Sequence, residues 1–293
     1  MNVLITGVNG LIGNCLALHL LNNENFFVIG IDLTSTRINH AKYRHFSVNL
    51  SEFNSRLLES NTNIDVVVHL AQSRYYKEFP DKNSDVFEVN VHSTIHLLEW
   101  ARISNVKQFI YASSGGIYGF GKNIFSEEYT VKLNHNLGFY LSTKLMGEML
   151  VHNYSNFFTT TILRPFFVFG PNQNPNMLIP SLIKKIRNNQ PITMKGEKGI
   201  RLNPIHVEDA AAIIKYLIIN KSHGIFNICG NEIVHLKQIV DVISSKLNLK
   251  PNLITQPSNG NEDIIGDNQK IKNLGFIYTK NVFKEVELMC NYF

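Results

Sequence analysis

The chain has 293 residues, a net charge of +5 and 44% apolar residues, enough for one large domain or two smaller ones. No apolar run is long enough to cross a bilayer, and the scattered positive charge lacks the basic stripe of a nucleic-acid binder, fitting an anionic small ligand better. The cysteines, Cys15, Cys229 and Cys290, are few, odd in number and far apart, and none has metal-ligand spacing, so no disulfide and no metal are expected.

Val3 to Ile5 read as a buried strand, followed at once by the glycines Gly7, Gly10 and Gly13. Leu16, Leu20 and Leu21 then return at helical spacing. Strand, glycine turn and helix form the context that a dinucleotide-binding fingerprint requires. Glycine lets the turn approach a pyrophosphate closely, and the helix start offers unpaired N–H groups to it through Leu11 and Ile12. Because the N-terminus enters a strand directly, with no charged region before a hydrophobic one, a secretory leader is not expected and a cytoplasmic protein is.

Phe27 to Ile31 form the next strand and Asp32 ends it, where a carboxylate accepts hydrogen bonds from ribose hydroxyls and repels a 2′-phosphate. That favours NAD over NADP, with Arg37 close enough to soften the preference. His45 to Val48 read as a short strand and Ser51 to Ser60 as a helix with a serine cap. Ile64 to Ala71 read as a strand buried on both faces. The periodicity predicts a long helix over Asp81 to Arg102, a strand over Gln108 to Ala112, a helix over Leu137 to Tyr154 and a strand over Thr159 to Leu163. This alternation predicts an α/β protein, a Rossmann-like doubly wound parallel sheet whose ligands sit at the carboxyl ends of its strands. After Pro165 the prolines multiply, which predicts a second, smaller mixed α/β substrate lobe. The expected division is 1–165 with 203–230 for the dinucleotide, and 166–202 with 231–293 for the substrate.

Tyr140 and Lys144 stand four apart on the predicted helix, so both can face one site. A phenol ionises near ~10, whereas a useful general base sits near ~7, a gap of roughly 4 kcal/mol. One positive charge at about 4–6 Å supplies roughly 3–4 kcal/mol at an effective dielectric near 20. Lys144, with an oxidised nicotinamide nearby, is therefore expected to lower the Tyr140 phenol. Ser114, at the end of the preceding strand, can hold the same substrate oxygen.

With these pieces in place the chain resembles the extended short-chain dehydrogenase/reductases, specifically the NAD-dependent nucleotide-sugar epimerase/dehydratase family. The resemblance rests on Thr6 to Gly13, Val67 to Ala71, Asn90-Val91, Ser113 to Gly119, Tyr140 with Lys144, Leu163 to Pro171, Arg201, Val207 to Asp209, Phe226 to Ile228 and Asp267 to Phe276. It implies that Tyr140 is the base, that Lys144 also holds the nicotinamide ribose, and that Ser114 binds the reacting sugar oxygen. It further implies that Asn49 and Leu50 lie at the adenine, Leu70 and Ala71 beside the cofactor, and Pro165 at the nicotinamide. Arg201 would reach the substrate diphosphate, and Phe167 would line the sugar or phosphate pocket, where many epimerases have Asn. His206 would be a packed histidine and Asn90 a support for backbone near the site. The paired helices Asp81 to Arg102 and Leu137 to Tyr154 would form a homodimer interface.

Besides Phe167, two departures from the family matter. Gly115-Gly116 stand where dehydratases carry an acid pair, and the segment Ser258 to Asp263 lacks a second diphosphate-binding arginine. The resemblance therefore implies an NAD-dependent nucleotide-sugar 4-epimerase serving polysaccharide biosynthesis. The alternatives are an NAD(P)H-dependent 4-ketoreductase of a 4-keto-6-deoxy sugar nucleotide and a non-catalytic dinucleotide-binding regulator.

Overall fold

The computed structural model describes residues 1–36, 38–52, 63–131 and 137–293. Arg37 and most of the helix expected over Ser51 to Ser60 lie outside the described residues. The chain divides into two compact units, the first comprising Met1–Ile117, Lys132–Arg164 and Ala211–Phe226, and the second Tyr118–Val131, Pro165–Ala210 and Asn227–Phe293.

The first unit is built on a seven-stranded sheet. The elements lying wholly or mainly in it are β1 (Asn2–Thr6), α1 (Leu11–Leu21), β2 (Phe27–Asp32), β3 (Tyr43–Ser47), β4 (Val66–His69), α2 (Asn83–Phe87), α3 (Ser93–Ile103), β5 (Gln108–Ala112), α4 (Gly138–Asn153), β6 (Thr159–Pro165), α5 (Val207–Ile219) and β7 (Gly224–Ile228). The strand order is β7-β6-β5-β4-β1-β2-β3, and every pairing from β3 across to β6 is parallel. The chain reverses its direction of sheet growth between β1 and β4, so the carboxyl ends of these two strands flank the crevice where such sheets bind ligands. Val3, Leu4, Ile5, Val67, Phe109 and Ile110 are fully buried, as a strand covered by helices on both faces requires.

The helix expected over Asp81 to Arg102 starts at Asn83 and is interrupted by a π-helical turn at Glu88–His92. The wider turn changes the phase of the helix and leaves Asn90 buried. Trp100 packs into the core of its own sheet with Leu97, Phe109 and Val151.

The second unit contains short strand pairs and amphipathic helices. Arg201–Leu202 runs antiparallel to Val234–His235, while Ile192–Lys195 with Leu253–Gln256 and Ile124–Phe125 with Ile265–Gly266 are parallel. The helices Leu178–Arg187, Leu236–Leu247 and Val282–Met289 bury Ile183, Ile239, Val240 and Val286 in one core. Lys184 and Arg187 lie exposed on the outer face of the first of these helices. Among the described residues no helix is long and apolar enough to cross a membrane.

Candidate active site

The glycine turn is held between β1, β2 and the exit of β4. Gly7 has φ +69 and donates its N–H to Ile31 O at 2.8 Å. A Cβ at Gly7 would lie 2.9 Å from Ala71 Cα, and one at Gly13 would lie 2.2 Å from Gly7 O. Both positions therefore demand glycine, the first for its backbone angle as well as its contacts. Gly10 caps α1 without a side chain. The N–H groups of Leu11, Ile12 and Gly13 are in the first turn and have no intrahelical acceptor, so the helix start presents donors and positive dipole to an anion.

Asp32 closes β2 beside this turn. One carboxylate oxygen accepts the Asn9 N–H at 2.9 Å, and the other accepts the Thr34 N–H and hydroxyl, both at 3.2 Å. These bonds fix the carboxylate, and its remaining lone pairs can still accept from a diol. Asn49 accepts the Ser51 N–H at 3.2 Å, and Leu50 opens a short 3-10 turn with its side chain buried. Leu70 donates its N–H to Thr6 O at 3.2 Å, and Ala71 donates to the Thr6 hydroxyl at 3.3 Å. A cradle that a Cβ would fill, an uncapped helix start and a fixed carboxylate one strand away fit a dinucleotide.

The second cluster in the same unit is formed by α4 and the end of β5. Lys144 is buried and donates to Ala112 O at 2.9 Å, its Nζ standing 5.4 Å from the Tyr111 ring and 6.0 Å from the Tyr140 ring. The helix can approach this closely because Gly147 faces Tyr111, where a Cβ would stand 2.0 Å from the phenol oxygen. Glu148 on α4 accepts Arg164 Nε at 3.0 Å and a second guanidinium nitrogen at 2.7 Å, a buried bidentate pair that pins the helix to β6.

Tyr140 donates its phenol hydrogen to Gln72 Oε1 at 2.8 Å, and its ring lies 4.9 Å from that of Tyr76. Ser114 accepts the Gly116 N–H at 3.1 Å and keeps part of its surface open, whereas the Ser113 hydroxyl is buried with no partner among the described residues. Of the two serines that follow β5, the second is therefore the more open. A Cβ at Gly116 would meet Leu141 at 3.1 Å and the Ser114 hydroxyl at 3.3 Å, so the residue next to Tyr140 packs beside the Ser114 turn.

In the protein alone, burial pushes the Tyr140 phenol up, with Tyr76 adding to the rise, whereas the lowering expected from the sequence is one that Lys144 and a nicotinamide exert together. Burial also brings the Lys144 ammonium down to about 7. The Ala112 carbonyl is a dipole, not a counter-charge, so it does not offset the desolvation of the ammonium. His69 is buried between the hydroxyls of Thr6 (2.6 Å) and Thr94 (3.0 Å), and burial holds it at about 3, with Lys144 contributing.

Phe167, Arg201 and Pro165 belong to the second unit. Pro165 is the last residue of β6. Phe167 has φ +45, a left-handed angle uncommon for a bulky residue, and packs on the core beneath it. Arg201 donates from Nε to Asp263 at 2.8 Å and from a terminal nitrogen to Lys122 O at 3.3 Å. His206 is packed edge-on against Phe169, with ring centroids 5.4 Å apart.

A profile of the "NAD dependent epimerase/dehydratase family" matches residues 3–229. The chain belongs to this family. Among solved structures, the UDP-glucuronic acid 4-epimerase from Bacillus cereus, in complex with UDP-glucuronic acid and NAD, is 26% identical with a TM-score of 0.87, covering 100% of this chain and 98% of that one. An uncharacterized UDP-glucose epimerase, YtcB of Bacillus subtilis, is 28% identical over 90% of each chain. A GDP-6-deoxy-D-talose 4-dehydrogenase of Aggregatibacter actinomycetemcomitans is 29% identical over 94% of this chain and 91% of its own.

Sequence reasoning within this family passed over Gln72, Gly147 and the Arg164–Glu148 pair. Gly147 had a readable signal, since glycine inside an otherwise regular helix marks close packing. Gln72 had none, because it meets Tyr140 only through the folding of the chain after β4.

Proposed function

We propose that this protein is an NAD-dependent 4-epimerase of nucleotide-diphosphate sugars, with UDP-hexoses as the first substrates to test. The observation that carries the reading is that Lys144 stands beside the Tyr140 ring, with Leu141 packed at the Ser114 turn, in the unit that also holds the glycine turn and Asp32. NAD, held by Gly7, Gly10, Leu11, Ile12, Gly13, Asp32, Asn49, Leu50, Leu70, Ala71, Lys144 and Pro165, would supply a reversible hydride acceptor at the sugar C4. Tyr140 takes the proton of the C4 hydroxyl and later returns it, while Ser114 holds that oxygen. The raised phenol means that Tyr140 rests protonated. Its ionisation depends on positive charge gathered at the site when it is filled, and Lys144 Nζ, 6.0 Å from the ring, is placed to contribute. Phe167 and Arg201 bind the sugar nucleotide, Arg201 by exchanging part of its pairing with Asp263 for the diphosphate.

Gly115 and Gly116 supply no acid for water elimination, and Leu141 already fills the space beside Gly116. That supports epimerisation over dehydration. The second reading, a 4-ketoreductase of a nucleotide-linked 6-deoxy sugar, is favoured by the resemblance to the GDP-6-deoxy-D-talose 4-dehydrogenase. Turnover with a panel of UDP-, GDP-, CDP- and dTDP-sugars separates the two. Net conversion to the C4 epimer without added reductant supports the epimerase, and stoichiometric consumption of NADH or NADPH supports the reductase. Tyr140→Phe should abolish either activity.

The same reading makes the protein a cytoplasmic homodimer in polysaccharide biosynthesis. Phe87 on α2 and Met146 and Met149 on α4 are exposed apolar residues available to a second copy. Light scattering at the monomer mass would contradict the dimer.

A further inference from the structure

Tyr140 is the proposed base, yet its phenol is engaged in the resting site. It donates to Gln72 Oε1 at 2.8 Å, a bond between α4 and the chain just after β4. Both partners are held from behind by one buried residue, Asn90. Asn90 accepts the Ser73 N–H at 2.9 Å and donates to the Thr143 hydroxyl at 3.0 Å. Thr143 in turn donates to Tyr140 O at 2.7 Å. Ser73 is further tied to Asp85 through its hydroxyl. The π-helical turn turns Asn90 inward, and such turns recur at functional sites. Asn90 thus ties the backbone next to Gln72 to the turn of α4 that carries Tyr140, and the exposed Gln72 side chain closes the remaining distance to the phenol.

We propose that Gln72 is the positioning residue for Tyr140, holding the phenol in line and serving both of its protonation states. The inference rests on the reading of Tyr140 as the base. A carboxamide is suited to this duty because it carries an acceptor and a donor on one planar group. Its oxygen accepts from the neutral phenol, and rotation about the last side-chain bond brings its N–H to the phenolate. A carboxylate of the same shape could only accept, and would oppose the phenolate. Among the described residues, the other titratable groups facing Tyr140 are Tyr76, Tyr111 and Lys144, none of which offers both an acceptor and a neutral donor in that place.

The test uses Gln72→Glu, Gln72→Met and Tyr140→Phe in the full chain. Carbon-13 labelling at tyrosine Cζ in the NAD-loaded protein, with the Tyr140 signal assigned by its loss in Tyr140→Phe, reports the phenol directly and apart from turnover, under the condition in which the site carries its positive charge. Gln72→Glu should move the Tyr140 titration, and the acidic limb of the kcat/KM profile, upward by about 1–3 pH units. Gln72→Met should lower kcat at least about tenfold with little change in KM, because the phenol loses its partner while the volume is kept. A Tyr140 signal that titrates alike in wild type and Gln72→Glu overturns the inference, whatever the activity does. Full activity in Tyr140→Phe would instead defeat the reading of Tyr140 as base, and the two failures are thus distinguishable.

Discussion

Replacing Lys144 by Met should inactivate the protein and also stabilise it in a pH-dependent way. Burial brings the folded ammonium down to about 7, whereas an unfolded lysine ionises near ~10.4. Across the interval between those values the unfolded chain binds the extra proton, so wild-type stability rises with pH by about 1.4 kcal/mol per unit. Below the folded pKa the cost of the buried charge is fully present, roughly 4–5 kcal/mol, and it fades as pH climbs towards ~10. Methionine has a similar length and no charge, and it forfeits only the bond to the Ala112 carbonyl, about 1 kcal/mol at every pH. The advantage of Lys144→Met over wild type should therefore shrink by about 3 kcal/mol between pH 6 and pH 9. His69, held at about 3, stays neutral throughout and adds nothing to this difference. Urea unfolding at each pH, followed by the fluorescence of Trp100, the single tryptophan, measures it. A stability difference that does not change with pH would refute the reasoning, since it would mean that Lys144 keeps an ordinary pKa in the fold.

Two further substitutions probe the scaffold and the second unit. Gly147→Ala should destabilise the protein by about 1–3 kcal/mol, because the new methyl must displace the buried Tyr111 phenol; an unchanged Tm would contradict the close seating of α4 on β5. Asp263→Asn should tighten UDP binding by about two- to fivefold, the worth of a partly exposed ion pair released from Arg201. Calorimetric titration reads this directly, and weaker binding would show that Asp263 aims the guanidinium instead of occupying it.

Much of the first unit was legible because its signals are local. The apolar run of β1, the glycines behind it and the leucine periodicity of α1 lie within twenty-one residues, and each dictates backbone angles or burial on its own. The Tyr140 and Lys144 pairing was legible for the same reason, as helix geometry alone puts them on one face. Their ionisation was not. The spacing shows the attraction of the ammonium for the phenolate but not the desolvation that acts on both groups once Gly147 lets the helix sink onto Tyr111. The π-helical turn was equally hidden. Val86, Val89, Leu97 and Trp100 sit at ordinary helical spacing, and the extra residue is absorbed by the demand to bury Asn90 between Ser73 and Thr143. The Arg201 pairing with Asp263 spans sixty-two residues, beyond any local pattern.

The central claim, reversible oxidation at C4 with Tyr140 as the base, is tested most directly with a UDP-hexose carrying deuterium at C4. Incubated with the protein and NAD, it should yield the C4 epimer with the deuterium still at C4 and no solvent hydrogen at any carbon, and Tyr140→Phe should yield none. Loss of the label to water, or epimer formed at the wild-type rate by Tyr140→Phe, would contradict it.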